Sequence, residues 1–336
     1  MKRKHAEKAC ALGEREIIEI LKKNFDLPKM AVPFGDDVSA FDLRRGVLAV
    51  LKTDMLVGKT DVPPQMSLWQ AARKAVVMNI SDFAAKGVQP LTVLASLGLP
   101  SGLSEKEIAD IGAGLNAGAR EYGAYVVGGD TNEASDIVIS LSVFGVAKRG
   151  ALMLRSGAKP DDLVAVTGFF GKTAAGLKFL TSKLEAPKKV SKMLVSSVLM
   201  PHARLKEGLV LRRSGAVTAS IDSSDGLAWS LHEIASASNV GFVVDCLPAA
   251  KEAKAFARTS GLNLMELTFY GGEEYELVLT INPRMWEKAR RAVERVGGRL
   301  LRIGKVTAEK GVFFEKARKR MVIEPRGWEH FKTGRT

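Results

Sequence analysis

The stretch IDSSDG, residues 221–226, sets two carboxylates, Asp222 and Asp225, three positions apart with hydroxyls between them and a glycine behind. It closes the apolar run GAVTAS. Four further stretches share its character: FGDDVSA with Asp36 and Asp37, KTDML with Asp54, NISDFAAKG with Asp82, and GGDTN with Asp130. Singly, each has a plain structural reading, because aspartate caps helices and forms turns, and a glycine beside it serves backbone geometry. Their joint pattern points elsewhere. Asn79 and Asp82 stand three apart on a predicted helix, so both project from one face and interrupt an apolar stripe. Several carboxylates sharing a site repel one another and are costly to bury unless a cation neutralises them. Magnesium does this with hard oxygen ligands, one or two carboxylates per ion, and completes its shell with water and substrate phosphates. Zinc is not a serious competitor. The chain has four histidines, none spaced as a metal pair, and its two cysteines, Cys10 and Cys246, lie outside any CxxC or Cys/His pattern.

The elements that must carry these acids alternate in type. β-branched runs such as RGVLAVLKTD, PLTVLASLGLP, AYVV and DIVISLSVFGVA read as strands. LWQAARKAVVMNISDFAAKG reads as a helix, with Ser67 as its N-cap and Gly87 just past its end. Ser104 and Glu107 form a capping box for a second helix through Ala119, and GGDTN reads as a turn after the strand AYVV. The near-continuous apolar character of DIVISLSVFGVA predicts burial on both faces. The pattern breaks around KRGALMLRSGAKPDD, which sets a domain boundary and gives an N-terminal domain of residues 1–149 and a C-terminal domain of 150–336. The second half repeats the style of the first: strand AVTAS, acidic turn, helix LAWSLHEIASAS, strands GFVVD and YELVLT, helix RMWEKARRAVERV and strand GRLLRIGKV. Two α/β (α+β) halves result. TGFFGKT, residues 167–173, imitates a phosphate-binding Walker loop, but Val166 stands where the first glycine is required.

Composition narrows the class further. The 336 residues, 46% hydrophobic and 26% charged, are those of a globular protein. The lack of a disulfide framework suits a reducing cytoplasm. The basic N-terminus is interrupted by acids and followed by no apolar stretch, so no secretory signal is expected, and no run approaches the ~18 apolar residues of a membrane span. A net charge of +13 invites a nucleic-acid reading, but the basic residues are scattered and no nucleic-acid-binding signature accompanies them. A solvated surface that attracts small anionic substrates is the better reading.

In this order, GEREII, GDDVSA, TDMLV, NISDFAAKG, GGDT, RSGAKPDD, DSSDGL, GGEEYEL and GWEHF resemble the thiamine-monophosphate kinase family, within the superfamily of aminoimidazole ribonucleotide synthetase. The resemblance runs over nearly the whole chain. It implies a two-domain fold and a homodimer whose N-terminal domains join their sheets into a β-barrel. It implies transfer of the γ-phosphoryl group of ATP onto the phosphate of thiamine monophosphate, with several Mg2+ ions, giving thiamine diphosphate and ADP. Carried onto this sequence, the magnesium positions are Asp37, Lys52 (through its backbone), Thr53, Asp54, Asp82, Asp130, Asp222 and Asp225. The ATP positions are Gly129, Asp130, Arg155 and Ser224, and the substrate positions are Asp61, Glu273 and Trp328. No general base or covalent nucleophile is implied, since an acceptor phosphate oxygen is already ionised. A related ATP-dependent synthetase acting on another small substrate would use the same acids.

This chain departs from the family's commoner pattern at three places. Asp61 stands where a substrate-contacting histidine is usual, Lys52 replaces a small residue, and Glu274 replaces aspartate. Lys59 is a candidate phosphate contact in compensation for the first.

Overall fold

A computed structural model describes residues 12–331. Its helices are α1 (Glu14–Lys22), α2 (Gly58–Asp61), α3 (Leu68–Lys86), α4 (Glu105–Glu121), α5 (Lys172–Thr181), α6 (Lys188–Leu199), α7 (Leu205–Ser214), α8 (Leu227–Ser238), α9 (Lys251–Ser260), α10 (Leu264–Phe269) and α11 (Trp286–Arg295). The strands are β1 (Ser39–Asp42), β2 (Val47–Val57), β3 (Pro90–Leu99), β4 (Tyr125–Glu133), β5 (Val138–Lys148), β6 (Leu163–Val166), β7 (Val217–Asp222), β8 (Gly241–Val244), β9 (Leu277–Ile281), β10 (Leu301–Thr307), β11 (Gly311–Lys316) and β12 (Lys319–Val322).

These strands make two mixed sheets, a five-stranded one in the order β1-β2-β5-β3-β4 and a seven-stranded one in the order β12-β11-β8-β10-β6-β9-β7. Among the described residues neither sheet closes into a barrel. Helices α3 and α4 cover one face of the first sheet, and α3 also packs on β7 and α7 of the second half. A helix walled in on both sides must be buried around most of its circumference, and from Ala71 to Lys86 only Met78 of α3 escapes full burial. Both ends of α3 follow from local chemistry. Ser67 and Gln70 form a reciprocal capping box, and Gly87 adopts a left-handed conformation (φ 66°) that turns its N–H back onto the carbonyls of Phe83 and Ala84. The expected capping box of Ser104 and Glu107 likewise opens α4.

Two expectations are corrected. GGDTN is no turn: it continues β4, paired in parallel with β3 from Leu94 to Leu99. Glycine-rich acidic composition imitates a turn, but here the glycine serves close approach, since a Cβ on Gly129 would fall 1.8 Å from the Ala95 carbonyl oxygen. Strand β5 is not buried on both faces either. Ile139, Leu141 and Val143 face the helices while Val146 is exposed, so within the chain one side of this sheet is open.

Candidate active site

Period-two alternation on β2 separates its side chains into two sets. Leu48, Val50 and Leu56 are buried on the α3 side, and Lys52 and Asp54 share that side; Val47, Leu51, Thr53 and Met55 point to the open face. Opposite, α3 presents Asp82, and the Lys52 ammonium lies 3.0 Å from Asp82 and 3.3 Å from Asp54. The GDD loop before β1 contributes Asp37, and the end of β7 contributes Asp222. One carboxylate oxygen from each of Asp37, Asp82 and Asp222 lies within 4.8 Å of the others, and all three residues are buried.

The surrounding charges show how this crowding is tolerated. Lys86, fully buried on α3, pairs with Asp36 (2.5 Å) and Asp37 (2.8 Å) and donates to the Ser220 carbonyl oxygen at 2.9 Å. Arg155 grips Asp37 through Nε (2.6 Å) and a terminal nitrogen (2.5 Å), and donates to the Gly35 carbonyl oxygen and Glu233. Burial alone would raise the Asp37 carboxyl, but Lys86 and Arg155 hold it below the usual carboxylate value. Asp222 lacks such close cations. Burial and the facing Asp37 push it up to about 7, against the hydrogen bond from Ser81 Oγ at 2.7 Å and the pull of Lys52. Asp82 is raised well above the normal range by burial, and Asp222, Asp54 and Asp37 push it further in the same direction against the lowering effect of Lys52. Burial would lower the Lys52 ammonium, but Asp54 and Asp82 raise it above the normal lysine range. Asp225, on the loop after β7, is raised to about 6 by partial burial and by Glu14, although water reaches its side chain.

Buried carboxylates this costly to ionise side by side are groups that a divalent cation would relieve. Fit is also testable on the donor set. It is all oxygen, and two buried side-chain oxygens, Asn79 Oδ1 one turn before Asp82 and Ser223 Oγ next to Asp222, have no hydrogen-bond partner. Hard, oxygen-seeking ions of the magnesium type suit such a set. A protonated lysine offers no lone pair, so Lys52 fits as a ligand only through its backbone.

Thr53 and Asp130 are not brought to this cluster within one chain. The Thr53 hydroxyl donates to the Leu141 carbonyl oxygen on the open side of the sheet. Asp130 pairs with Ser96, which pairs with Ser140 and then Met55, so it lies on the same open face, three strand spacings or about 14 Å from β2 along the sheet. Gly129 stands beside it, exposed.

The loop 223–226 lies against GGEEYEL: the Ser224 carbonyl oxygen accepts from Glu273 N at 2.6 Å and the Ser223 carbonyl oxygen from Tyr275 N at 3.0 Å. Three neighbouring glutamates there have three functions. Glu276 pairs with Arg204 and accepts from Thr167. Glu274, raised to about 7 by burial, accepts the Thr173 N–H at 3.0 Å and so caps the first turn of α5. Only Glu273, held in a left-handed conformation (φ 61°), is half-exposed, and it pairs with Lys74. Lys74 also donates to the Asp61 carbonyl oxygen at 2.9 Å. The C-terminal tail closes this side, with Trp328 N donating to the Asp225 carbonyl oxygen (3.0 Å) and His330 4.0 Å from Asp61. The Trp328 indole is 47% exposed and meets His330 edge-on. Lys59 is exposed on α2.

TGFFGKT lines a cavity of about 520 Å3 that none of the clustered aspartates borders. A Cβ on Gly168 would fall 2.2 Å from Glu276, so this glycine accommodates a buried carboxylate, a poor neighbour for a phosphate.

Sequence reasoning missed Lys86, Lys74 and Ser81. Lys74, Asp82 and Lys86 follow helical spacing on α3, a signal that was available, but nothing in the sequence distinguishes a buried lysine from a solvated one.

Residues 35–147 match the AIR synthase related protein N-terminal domain, and residues 159–316 match its C-terminal domain. The thiamine-monophosphate kinase of Nitrosopumilus maritimus is 37% identical over 96% of this chain and 99% of its own length. That of Bacillus subtilis is 32% identical over 90% and 94%. Among solved structures, AaThiL complexed with AMPPCP and TMP superposes with a TM-score of 0.84 at 28% identity, covering 97% of this chain and all of its own. The Escherichia coli hydrogenase maturation protein HypE, at 21% identity and a TM-score of 0.70, shares the fold. With near-complete coverage at this identity, the chain belongs to the thiamine-monophosphate kinase family of AIR synthase related proteins.

Proposed function

We propose that this protein transfers the γ-phosphoryl group of ATP onto the phosphate of thiamine monophosphate, giving thiamine diphosphate and ADP. The observation that carries the reading is full-length kinship with thiamine-monophosphate kinases in a chain whose buried Asp37, Asp82 and Asp222 converge on one point. Asp37, Asp54, Asp82, Asp222 and Asp225 would hold magnesium, with the backbone at Lys52. Bound there, magnesium neutralises the charge of the phosphates and aligns donor with acceptor.

The chain's own residues supply the rest. Lys86 and Arg155 keep Asp37 ionised and fixed, so the acids are arranged before nucleotide arrives. Arg155 and Ser224, both from the second half, would meet ATP phosphates. Trp328 offers an exposed aromatic face and Glu273 and Asp61 offer carboxylates, a combination suited to a cationic thiazolium ring. Transfer is direct, because the acceptor oxygen needs no base.

The chain acts as a homodimer whose N-terminal sheets pair through their open faces into a barrel. Leu51, Met55, Leu94 and Val127 are exposed there, apolar side chains that a second copy would cover. A second copy would also give Thr53, Gly129 and Asp130 a place in a site that one chain leaves them outside. Residues 1–149 would then bind metal and dimerise, and residues 150–336 would supply Asp222, Asp225 and the substrate wall. The test is ADP release with ATP and Mg2+, with and without thiamine monophosphate, for the wild type and for Asp82→Asn. Turnover that ignores thiamine monophosphate sinks the kinase reading and leaves the fold.

A further inference from the structure

Five aspartates meet at the centre of the molecule: Asp36, Asp37, Asp54, Asp82 and Asp222. Lys86 and Arg155 serve the GDD loop. Among the described residues the remaining group, Asp54, Asp82 and Asp222, has one close cation, the Lys52 ammonium, 3.0 Å from Asp82 and 3.3 Å from Asp54. Its position is fixed by the fold. Lys52 is two residues before Asp54 on the same side of β2, so both must face α3, and only 19% of its side chain is exposed. Removing Lys52 would therefore leave Asp54 and Asp82 with one more uncompensated negative charge between them.

We propose that Lys52 is a built-in cation that occupies one of the positions a divalent ion would otherwise take between Asp54 and Asp82, so that this centre binds one ion fewer, or its last ion more weakly, than its carboxylates alone would dictate. The inference rests on the metal-centre reading above and concerns the stoichiometry of that centre. The chemistry is substitution of like for like: an ammonium donates three charge-assisted hydrogen bonds to carboxylate oxygens and needs no coordination geometry. It also stays with the protein when ions exchange. A lysine there lowers the demand for free magnesium while keeping a positive charge beside the phosphates.

The test is Mn2+ binding to the purified full-length protein, by titration calorimetry and by the paramagnetic resonance of free Mn2+, for the wild type and Lys52→Met, which keeps the chain length and removes the charge. The expected result is one additional Mn2+ per chain in Lys52→Met, or a Kd for the weakest ion lowered about tenfold or more, the effect of removing a unit charge some 5 Å from a divalent ion even at water-like dielectric. Equal stoichiometry with Kd values within about threefold overturns the proposal. A wild type that binds no Mn2+ at all overturns the metal-centre reading itself, a separate and recognisable failure. Should Lys52→Met not fold, anomalous diffraction from Mn2+-soaked wild-type crystals decides. Mn2+ on Asp37 and Asp222 with the ammonium still bridging Asp54 and Asp82 supports the proposal, and Mn2+ between Asp54 and Asp82 with Lys52 displaced refutes it.

Discussion

Replacing Asp222 with asparagine should abolish phosphoryl transfer and yet make the ion-free protein more stable. Asp222 is buried, and its carboxyl is raised to about 7 from an ordinary 3.8, with burial first among the causes and Asp37 second. A carboxyl that holds its proton more tightly folded than unfolded adds stability at low pH, where both states are protonated, and withdraws it as pH rises through the folded value. Between about pH 4 and 7 the folded state binds more protons, so stability must fall with increasing pH. The shift corresponds to about 4 kcal/mol at its limit, and protein relaxation brings the expected effect nearer 2 kcal/mol. Asparagine is isosteric, retains an oxygen to accept from Ser81 Oγ, and carries no charge to bury. Urea unfolding of wild type and Asp222→Asn in EDTA, at pH 5 and pH 8, reads the effect. The variant should gain roughly 2–4 kcal/mol at pH 8 and about a third of that at pH 5, and should lose most of the wild type's decline between the two. Saturating Mg2+ should stabilise the wild type at pH 8 more than the variant, since ligands stabilise the state that binds them. A variant that is equally or less stable than wild type at pH 8, with an unchanged pH slope, would refute the claim that uncompensated charge dominates at Asp222.

Three other perturbations follow from the same geometry. Lys86→Met strips a fully buried lysine from Asp36 and Asp37 and should destabilise by about 3–5 kcal/mol, seen as lowered solubility and an early urea midpoint; a loss under 1 kcal/mol would show the pair to be solvated. Trp328→Ala should raise KM for thiamine monophosphate about 5- to 30-fold, the equivalent of 1–2 kcal/mol of aromatic and cation–π contact, with KM for ATP unchanged. Met55→Glu places a charge on the open face of the first sheet, where Met55 is 55% exposed, and sedimentation should report a monomer with native circular dichroism; a persistent dimer would put the interface elsewhere.

Legibility in the sequence followed the range of the interaction concerned. The ends of α3 and α4 were readable because capping is settled within four residues, and α8 matched its predicted stretch, LAWSLHEIASAS. Short helices between 172 and 199 and between 251 and 269 passed unassigned, since their stability comes from packing on one another more than from local pattern, and α7 passed too, since it packs on α3 and α11. GGDTN was misread because composition cannot tell a glycine that turns from one that lets two strands approach. For the site, residue types and order named every clustered aspartate, but not the division between the two faces of the first sheet. That division depends on the register of β2, β5, β3 and β4, a non-local property.

The contacts that gather the acids at one place also join the two halves of the chain. Helix α3 belongs to the first sheet by sequence, yet Ser81 donates to Asp222 and Lys86 to the Ser220 carbonyl oxygen, both on β7 of the second sheet. Lys86 at the same time holds Asp36 and Asp37 from the loop before β1. The bonds that dock one sheet on the other are therefore made by the groups that set the spacing of the carboxylates. Any shift of the second half along α3 must change the distance from Asp222 to Asp82, and so the site's affinity for a cation. By linkage, a cation that bridges those carboxylates must resist the same shift. A cation held by those carboxylates would therefore make ion binding and the placement of the two sheets a single equilibrium.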